Sequence, residues 1–337
     1  MIARRAIRRD KDNIMKLDGF LLAMLAAVLL ALAWPAPGAP GGILHLASVT
    51  KYGIALVFFL QGSMLSPAAM RSGAAKWQLH LFVQAMTFVV FPIMGGIAYR
   101  LLSGMVTEEL RLGFFFLCAM ASTITSSVAM TALAAGDVPS AVFNASISGL
   151  IGMIATPVIM LWVGAGGHAM PPLLDTILGI LATLAVPFAL GQICRPLTLP
   201  FLGTRKKAVN RVDRFMIILI VYASFCDSTA SGVWHRFSIG QLLVVALLAS
   251  LMLFIMLLLT SLCAKALGFS REERITAMFC GSKKSLASGA PTAKIMFAGH
   301  SGLGMIMLPL LLYHQIQLVV CTILAGSCAR DNAARAE

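Results

Sequence analysis

Apolar runs about as long as a bilayer is thick recur along this chain from end to end, and they restrict its architecture more than any other feature. Ten can be drawn, at 18–34, 44–65, 78–102, 111–135, 139–164, 172–194, 214–232, 239–264, 273–298 and 302–326. A helix needs about 20 residues to cross the hydrocarbon of a membrane, and each run is near that length. Lipid offers the backbone no hydrogen bonds, so only helices or closed barrels span it, and these runs are too long for barrel strands. They predict an all-α polytopic membrane protein with ten transmembrane helices. The composition agrees, with 12% charged residues against roughly 25% in soluble domains.

A formal net charge of +13 would suit a nucleic-acid partner. Its placement assigns it to topology instead. Of the 26 Lys and Arg, nineteen fall in the termini and one set of alternate connections, three in the other set, and four inside the runs. Positive residues stay on the cytoplasmic side. The asymmetry predicts a multi-pass protein of the cell inner membrane with both termini cytoplasmic, partnered by the lipid bilayer and by no nucleic acid. On this reading 1–17 is a basic cytoplasmic tail rather than a cleaved signal peptide, 195–214 is an inner loop, and 327–337 is a second tail. The seven cysteines include no CxxC pair and sit mostly inside apolar runs, which points to neither a disulfide framework nor a metal site.

The chain also repeats itself. Run four opens "TEELRLGFFFLCAMASTITSSVAM" and run nine "SREERITAMFCGSKKSLASGA". Each begins with Thr or Ser followed by paired Glu and an Arg, suited to capping a helix, and Ser270 with Glu273 fits a capping box. Each then reaches a cluster of small hydroxyl residues. Run four enters from outside and run nine from inside, the pattern of an inverted repeat. The predicted halves are 18–164 and 165–326, with interrupted helices at runs four and nine.

Those interruptions carry the chemistry. "STITSSVAMT" places Ser122, Thr123, Thr125, Ser126 and Ser127 in mid-run, more hydroxyls than helix–helix hydrogen bonding requires. They are expected to line a polar cavity, completed by Asn144 and Ser148 one turn apart in run five. "GSKKSLASGAP" sets Lys283 and Lys284 among Ser282, Ser285 and Ser288, beside glycines and a proline. A mid-membrane lysine costs ~2.5–3.5 kcal/mol on insertion scales, so adjacent lysines need a partner, water or a purpose. Lys51 and Asp227 are the other deep charges considered, and are expected to form a structural ion pair. His80 and His314 read as satisfied core histidines. No P-loop is present, and the pairing of Ser288 with His314 lacks the glycine that an intramembrane serine protease carries two residues before its nucleophile, where Leu286 stands. An enzyme is not expected.

The segments "WQLHLFVQAMTFVVFP", "STITSSVAMTALAAGDV", "DSTASGVW" and "FCGSKKSLASGAPTAK" resemble the bile acid:sodium symporter-like family, in the bacterial branch of it that is similar to human solute carrier family 10 member 7. The resemblance implies two inverted five-helix repeats. A panel domain of spans one, two, six and seven would face a core domain of spans three to five and eight to ten. It implies that spans four and nine are broken and cross in the core, where the symporters hold sodium. Ser126, Ser127 and Asn144 on one side and Ser282 to Ser288 on the other correspond to that place, and Gln84 to a glutamine ligand. Where the symporters carry a glutamate with nearby amides, this chain has Ser282, Lys283, Lys284, Leu286 and Ala287. An ammonium offers Na⁺ no acceptor. A possible Na⁺ near Ser126, Ser127, Asn144 and Ser282 would rest on hydroxyls and carbonyls, while the lysines either replace a cation or bind an anionic substrate.

The expected function is secondary transport of a small organic anion by alternating access, with no cofactor beyond a possible Na⁺. The substrate would meet Thr125, Ser126, Ser127, Asn144, Ser148, Ser282, Lys283, Lys284, Ser285 and Ser288. A membrane regulator or scaffold that has lost transport is the alternative.

Overall fold

The computed structural model describes residues 19–164, 172–232 and 238–336, and every regular element among them is helical. Helices α1 (Gly19–Ala33) and α2 (Leu46–Met64) are followed by the short α3 (Pro67–Gly73) and by α4 (Trp77–Leu101). Run four is two helices, α5 (Glu108–Ala119) and α6 (Thr125–Leu133), and α7 is Val138–Gly164. Helix α8 begins at Leu173–Ile180, passes through a π-helical turn at Leu181–Ala185 and continues as Val186–Leu202. After α9 (Lys206–Ala230) and α10 (Ile239–Ala266), run nine is again two helices, α11 (Arg271–Gly281) and α12 (Leu286–Met296), and α13 is Leu303–Ala336. Six helical stretches are long and apolar enough to cross a membrane. Both expected interruptions occur.

The segment 195–214 is helical where the charge pattern suggested a loop. Only the 3₁₀ turn Gly203–Arg205 separates α8 from α9. Its charges stand at helix ends, with Arg205, Lys206, Lys207, Arg211 and Arg214 all exposed, and Lys and Arg are good helix formers. The charge pattern did not reveal the backbone conformation. The predicted tail 327–337 likewise continues α13 as far as Ala336. The basic cytoplasmic tail expected at 1–17 lies outside the described residues.

Two solvents shape the packing. On α10 the exposed Leu243, Leu247, Leu251, Phe254 and Leu258 recur at helical spacing, while Val245, Ala249, Met252 and Met256 on the other side are buried. A helix apolar all round is stable where its outer face meets lipid. Inside, helices associate through small residues that admit backbone to backbone. A Cβ on Gly191 of α8 would stand 2.1 Å from the carbonyl oxygen of Phe59, and one on Gly62 of α2 equally close to that of Phe188. The hydroxyl of Ser63 donates to the Gly191 carbonyl at 3.2 Å across the same contact.

Polar groups tie the helix starts. Ser270 and Glu273 form the expected capping box. Thr107 makes no side-chain cap, and its hydroxyl is unpaired; Glu108 instead bonds Tyr99 and Arg111. Lys76, just before α4, meets Asp137 at 2.9 Å and Glu273 at 2.8 Å, joining the starts of α4, α7 and α11. Hydrogen bonding to Glu273, then to Asp137, raises the Lys76 ammonium above its ordinary value. Burial pushes the Asp137 carboxyl up, but hydrogen bonds from Ser140 and Lys76 outweigh it and hold the group low.

The α2–α8 contact makes a prediction. Gly191→Ala puts a methyl where a carbonyl oxygen already stands, so the helices must separate, at a cost of about 1–3 kcal/mol. The thermal midpoint of the purified protein should fall, and an unchanged midpoint would show that the helices do not approach this closely.

Candidate functional site

A broken helix leaves carbonyls without donors at the end of its first half. In lipid each such group costs several kcal/mol unless protein supplies a partner. The two breaks here supply each other. Residues 120–124 separate α5 from α6, and residues 282–285 separate α11 from α12. They meet where the Ser285 N–H donates to the Ala121 carbonyl at 2.9 Å.

Lys284 is central to this arrangement. It is fully buried, and its ammonium donates to the carbonyls of Cys118 at 2.8 Å, Met120 at 2.7 Å and Thr87 at 3.0 Å. An ammonium has three donors, and all three are used. Cys118 and Met120 belong to the open end of α5. Thr87 is freed differently. It lies in the π-helical stretch Met86–Val90 of α4, where the Phe91 N–H reaches back to Met86. The next such bond would run from residue 92 to Thr87, but residue 92 is proline and has no N–H. The ring of Phe91 lies 4.0 Å from the ammonium, a cation–π contact. Gln317 holds the lysine backbone on both sides, accepting from its N–H at 2.9 Å and donating to its carbonyl at 2.7 Å.

The hydroxyl cluster returns the service. Ser122 Oγ donates to the Cys280 carbonyl at 2.6 Å, and Ser127 Oγ to that of Phe279 at 3.0 Å, covering the end of α11. Ser148 accepts from the Ser122 N–H at 2.9 Å. Tyr313 donates to the Ser282 carbonyl at 2.6 Å, and Thr156 to that of Ala119 at 2.9 Å. Lys283, also fully buried, donates to the Ser126 carbonyl at 2.9 Å.

A cavity of about 570 Å³ opens beside this crossing, lined by Met120–Thr125 and Ser285, Ala287 and Ser288, with α2, α7, α8 and α9 closing the rest. The first turns of α6 and α12 both face it. Of the expected site residues, Thr125, Ser285 and Ser288 line this cavity. Ser126, Ser127, Ser148, Ser282, Lys283 and Lys284 do not; they build the crossing behind it. Ser122 and Thr123 of the hydroxyl cluster line the cavity with Thr125, as expected. The expectation that Ser127 and both lysines face a substrate is corrected for this conformation, because helix ends consume those groups. Ser282 donates to its own helix at Met278. Gln84 donates to the Asn144 carbonyl at 3.2 Å and to its side-chain oxygen at 3.3 Å, away from the cavity wall. The Ser126 carbonyl, an oxygen that a sodium ion near Ser126 would use, is taken by Lys283. Sequence reasoning missed Gln61, Asn210 and Asp213, which also line the cavity; their only signal was a carboxylate inside the basic segment 195–214.

The expected Lys51–Asp227 pair does not form. Lys51 is exposed, because it follows Thr50 on α2 and points about 100° away from it. Thr50 faces inward and accepts from the ammonium of Lys294, and Lys294 is also the cation that acts on Asp227. Both line a smaller cavity of about 190 Å³ with His45. A serine–histidine dyad is absent as well: His314 bonds Gln317 at 2.9 Å, and the buried Ser288 hydroxyl has no partner.

The family model of the SBF-like CPA transporter family matches residues 18–330. An uncharacterized protein of Pseudomonas aeruginosa is 45% identical over 322 residues, covering 95% of this chain and 96% of the relative. YfeH of Escherichia coli, provisionally named a symporter, is 38% identical over 320 residues, covering 94% of each. Sodium/bile acid cotransporter 7 of Danio rerio is 30% identical over 313 residues, covering 92% of this chain and 93% of the relative.

The crossing predicts how its lysines behave. Lys284→Met strands three buried carbonyls, each worth about 1–3 kcal/mol, whereas Lys283→Met strands one. Thermal unfolding in detergent should show a large loss for the first variant and a smaller one for the second. Equal midpoints for both variants and the parent would mean that the ammoniums are not structural.

Proposed function

The chain belongs to the SBF-like CPA transporter family, and from that premise we propose that it moves a small organic anion by alternating access. At the coarser level it is a bile acid:sodium symporter-like membrane transporter and not an enzyme. The single observation that carries the anion reading is that the first turns of α6 and α12 line one cavity of about 570 Å³. That volume suits a small organic molecule. Helix N-termini carry a partial positive charge of roughly half a unit and unpaired N–H groups.

The lysines decide what the ends of the helices offer. A broken helix brings a negative C-terminal end and a positive N-terminal end to the same depth. In this chain Lys284 sits on the carbonyls of α5's end, so the negative end is already neutralised by an internal cation. The positive ends of α6 and α12 remain for a ligand, with one N–H of α12, that of Ser288, already donating to Ser285 Oγ at 3.2 Å. On this reading the ammonium replaces a bound sodium ion, and dependence on Na⁺ is weak.

Alternating access requires two bodies. We assign spans one, two, six and seven (α1, α2, α8, α9) to a panel and the remaining spans to a core. Residues 18–164 and 165–326 are the two inverted repeats, and the cavity lies between core and panel. The nineteen-to-three asymmetry of basic residues supports an inner-membrane protein with both termini cytoplasmic. The cavity wall at Asn210 and Asp213 is then near the cytoplasmic side.

A thermal-shift screen of organic anions in Na⁺ and in K⁺ buffers tests this function. At least one anion at about 100 times its Kd should stabilise the protein by about 2.7 kcal/mol, and equally in both buffers. Stabilisation confined to Na⁺ would restore a conventional sodium site, and none from any anion would favour the scaffold reading.

A further inference from the structure

The wall that α2 and α9 contribute to the large cavity carries Gln61, Asn210 and Asp213. Among the described residues, Asp213 is the single charged side chain in the cavity lining. Gln61 donates to its carboxylate at 3.1 Å and orients it. The neighbouring Arg214 acts on Asp213 electrostatically but does not line the cavity; its guanidinium lies 5.4 Å from the ring of Phe20. The rest of the lining is mostly apolar, with Val57, Phe58, Leu150, Met153 and Phe188 among it.

We propose that Asp213 is a specificity-determining residue and that the substrate is an amphipathic zwitterion, with an acid group, an apolar body and an ammonium that pairs with Asp213. This inference rests on the anion reading above and adds the second charge. A ligand that fills the cavity strips water from the Asp213 carboxylate. A simple anion leaves that charge unpaired in an apolar wall and repels it with its own head group, and both effects oppose binding. An ammonium removes both. Gln61 donates one hydrogen bond to the carboxylate, which leaves acceptor capacity on its oxygens for the ligand.

The probes are 8-aminooctanoate, octanoate and octylammonium, titrated by thermal shift against the full-length protein and Asp213→Asn. For the parent the zwitterion should bind at least about tenfold tighter than octanoate. In Asp213→Asn that ratio should fall to about one, with octanoate binding tighter than it does to the parent. Asp213→Ser should behave alike, so that poor folding of one variant does not decide the result. Equal affinity of the parent for zwitterion and octanoate, or a preference that survives both substitutions, would overturn the assignment of Asp213 while leaving the anion reading intact. Octylammonium binding as tightly as the zwitterion would instead overturn the anion reading. Silence from all three probes would overturn both.

Discussion

The molecule depends on the exchange of hydrogen bonds between its two interrupted helices. Interrupting a helix inside lipid is expensive because its carbonyls lose their donors where no water can replace them. Here Lys284 from the second break serves the end of α5, and Ser122 and Ser127 from the first serve the end of α11. Neither break is affordable alone. An ammonium is well matched to this task because one group satisfies three acceptors at once and carries the charge that a helix C-terminus favours. The desolvation that makes a buried lysine rare is offset by the same contacts.

That exchange also separates structure from site within one short stretch. Lys283 and Lys284 turn into the crossing, while Ser285, Ala287 and Ser288 face the cavity. The breaks therefore bring the first turns of α6 and α12 to the cavity, with the Ser288 N–H already capped by Ser285 Oγ, while their carbonyl ends are bonded in the crossing. On the proposed reading such a cavity takes an anionic group without placing a basic side chain in its wall. The close approach of α2 and α8 through Gly62 and Gly191 makes a rigid opposite wall. A proposed panel of this kind is suited to stay intact while the core moves against it.

What was legible in the sequence was whatever lipid penalises. Runs of apolar residues announced the helices; a cluster of hydroxyl residues inside run four announced the break at 120–124, and glycine, proline and lysine inside run nine the break at 282–285. Partnership was not legible. Lys51 and Asp227 looked complementary as isolated charges, yet one position along α2 separates an exposed lysine from the buried Thr50 that meets Lys294. The role of Lys284 required knowing that Pro92 deprives Thr87 of its donor across the core, a relation between residues nearly two hundred apart. Asp213 was hidden because its neighbours 195–214 read as a charged loop, and a carboxylate in a loop carries no message. Helical from Lys206 onward, the same residue becomes part of a cavity wall.

The electrostatic layout then has a consistent logic. On the proposed reading, the internal cations at the crossing stand where a mobile cation would otherwise neutralise helix ends, and ion binding there would no longer change between conformations. Only a ligand with different affinity for two states can bias their equilibrium. With the lysines permanently bonded, that differential must come from the substrate and from whatever pairs with the groups outside the crossing. Asp213 on one cavity wall, and Asp227 with Lys294 across α9 and α12, are the charges whose surroundings would change if panel and core moved apart. Coupling in this chain is therefore to be sought at the interfaces between helices of the two bodies rather than at the crossing itself.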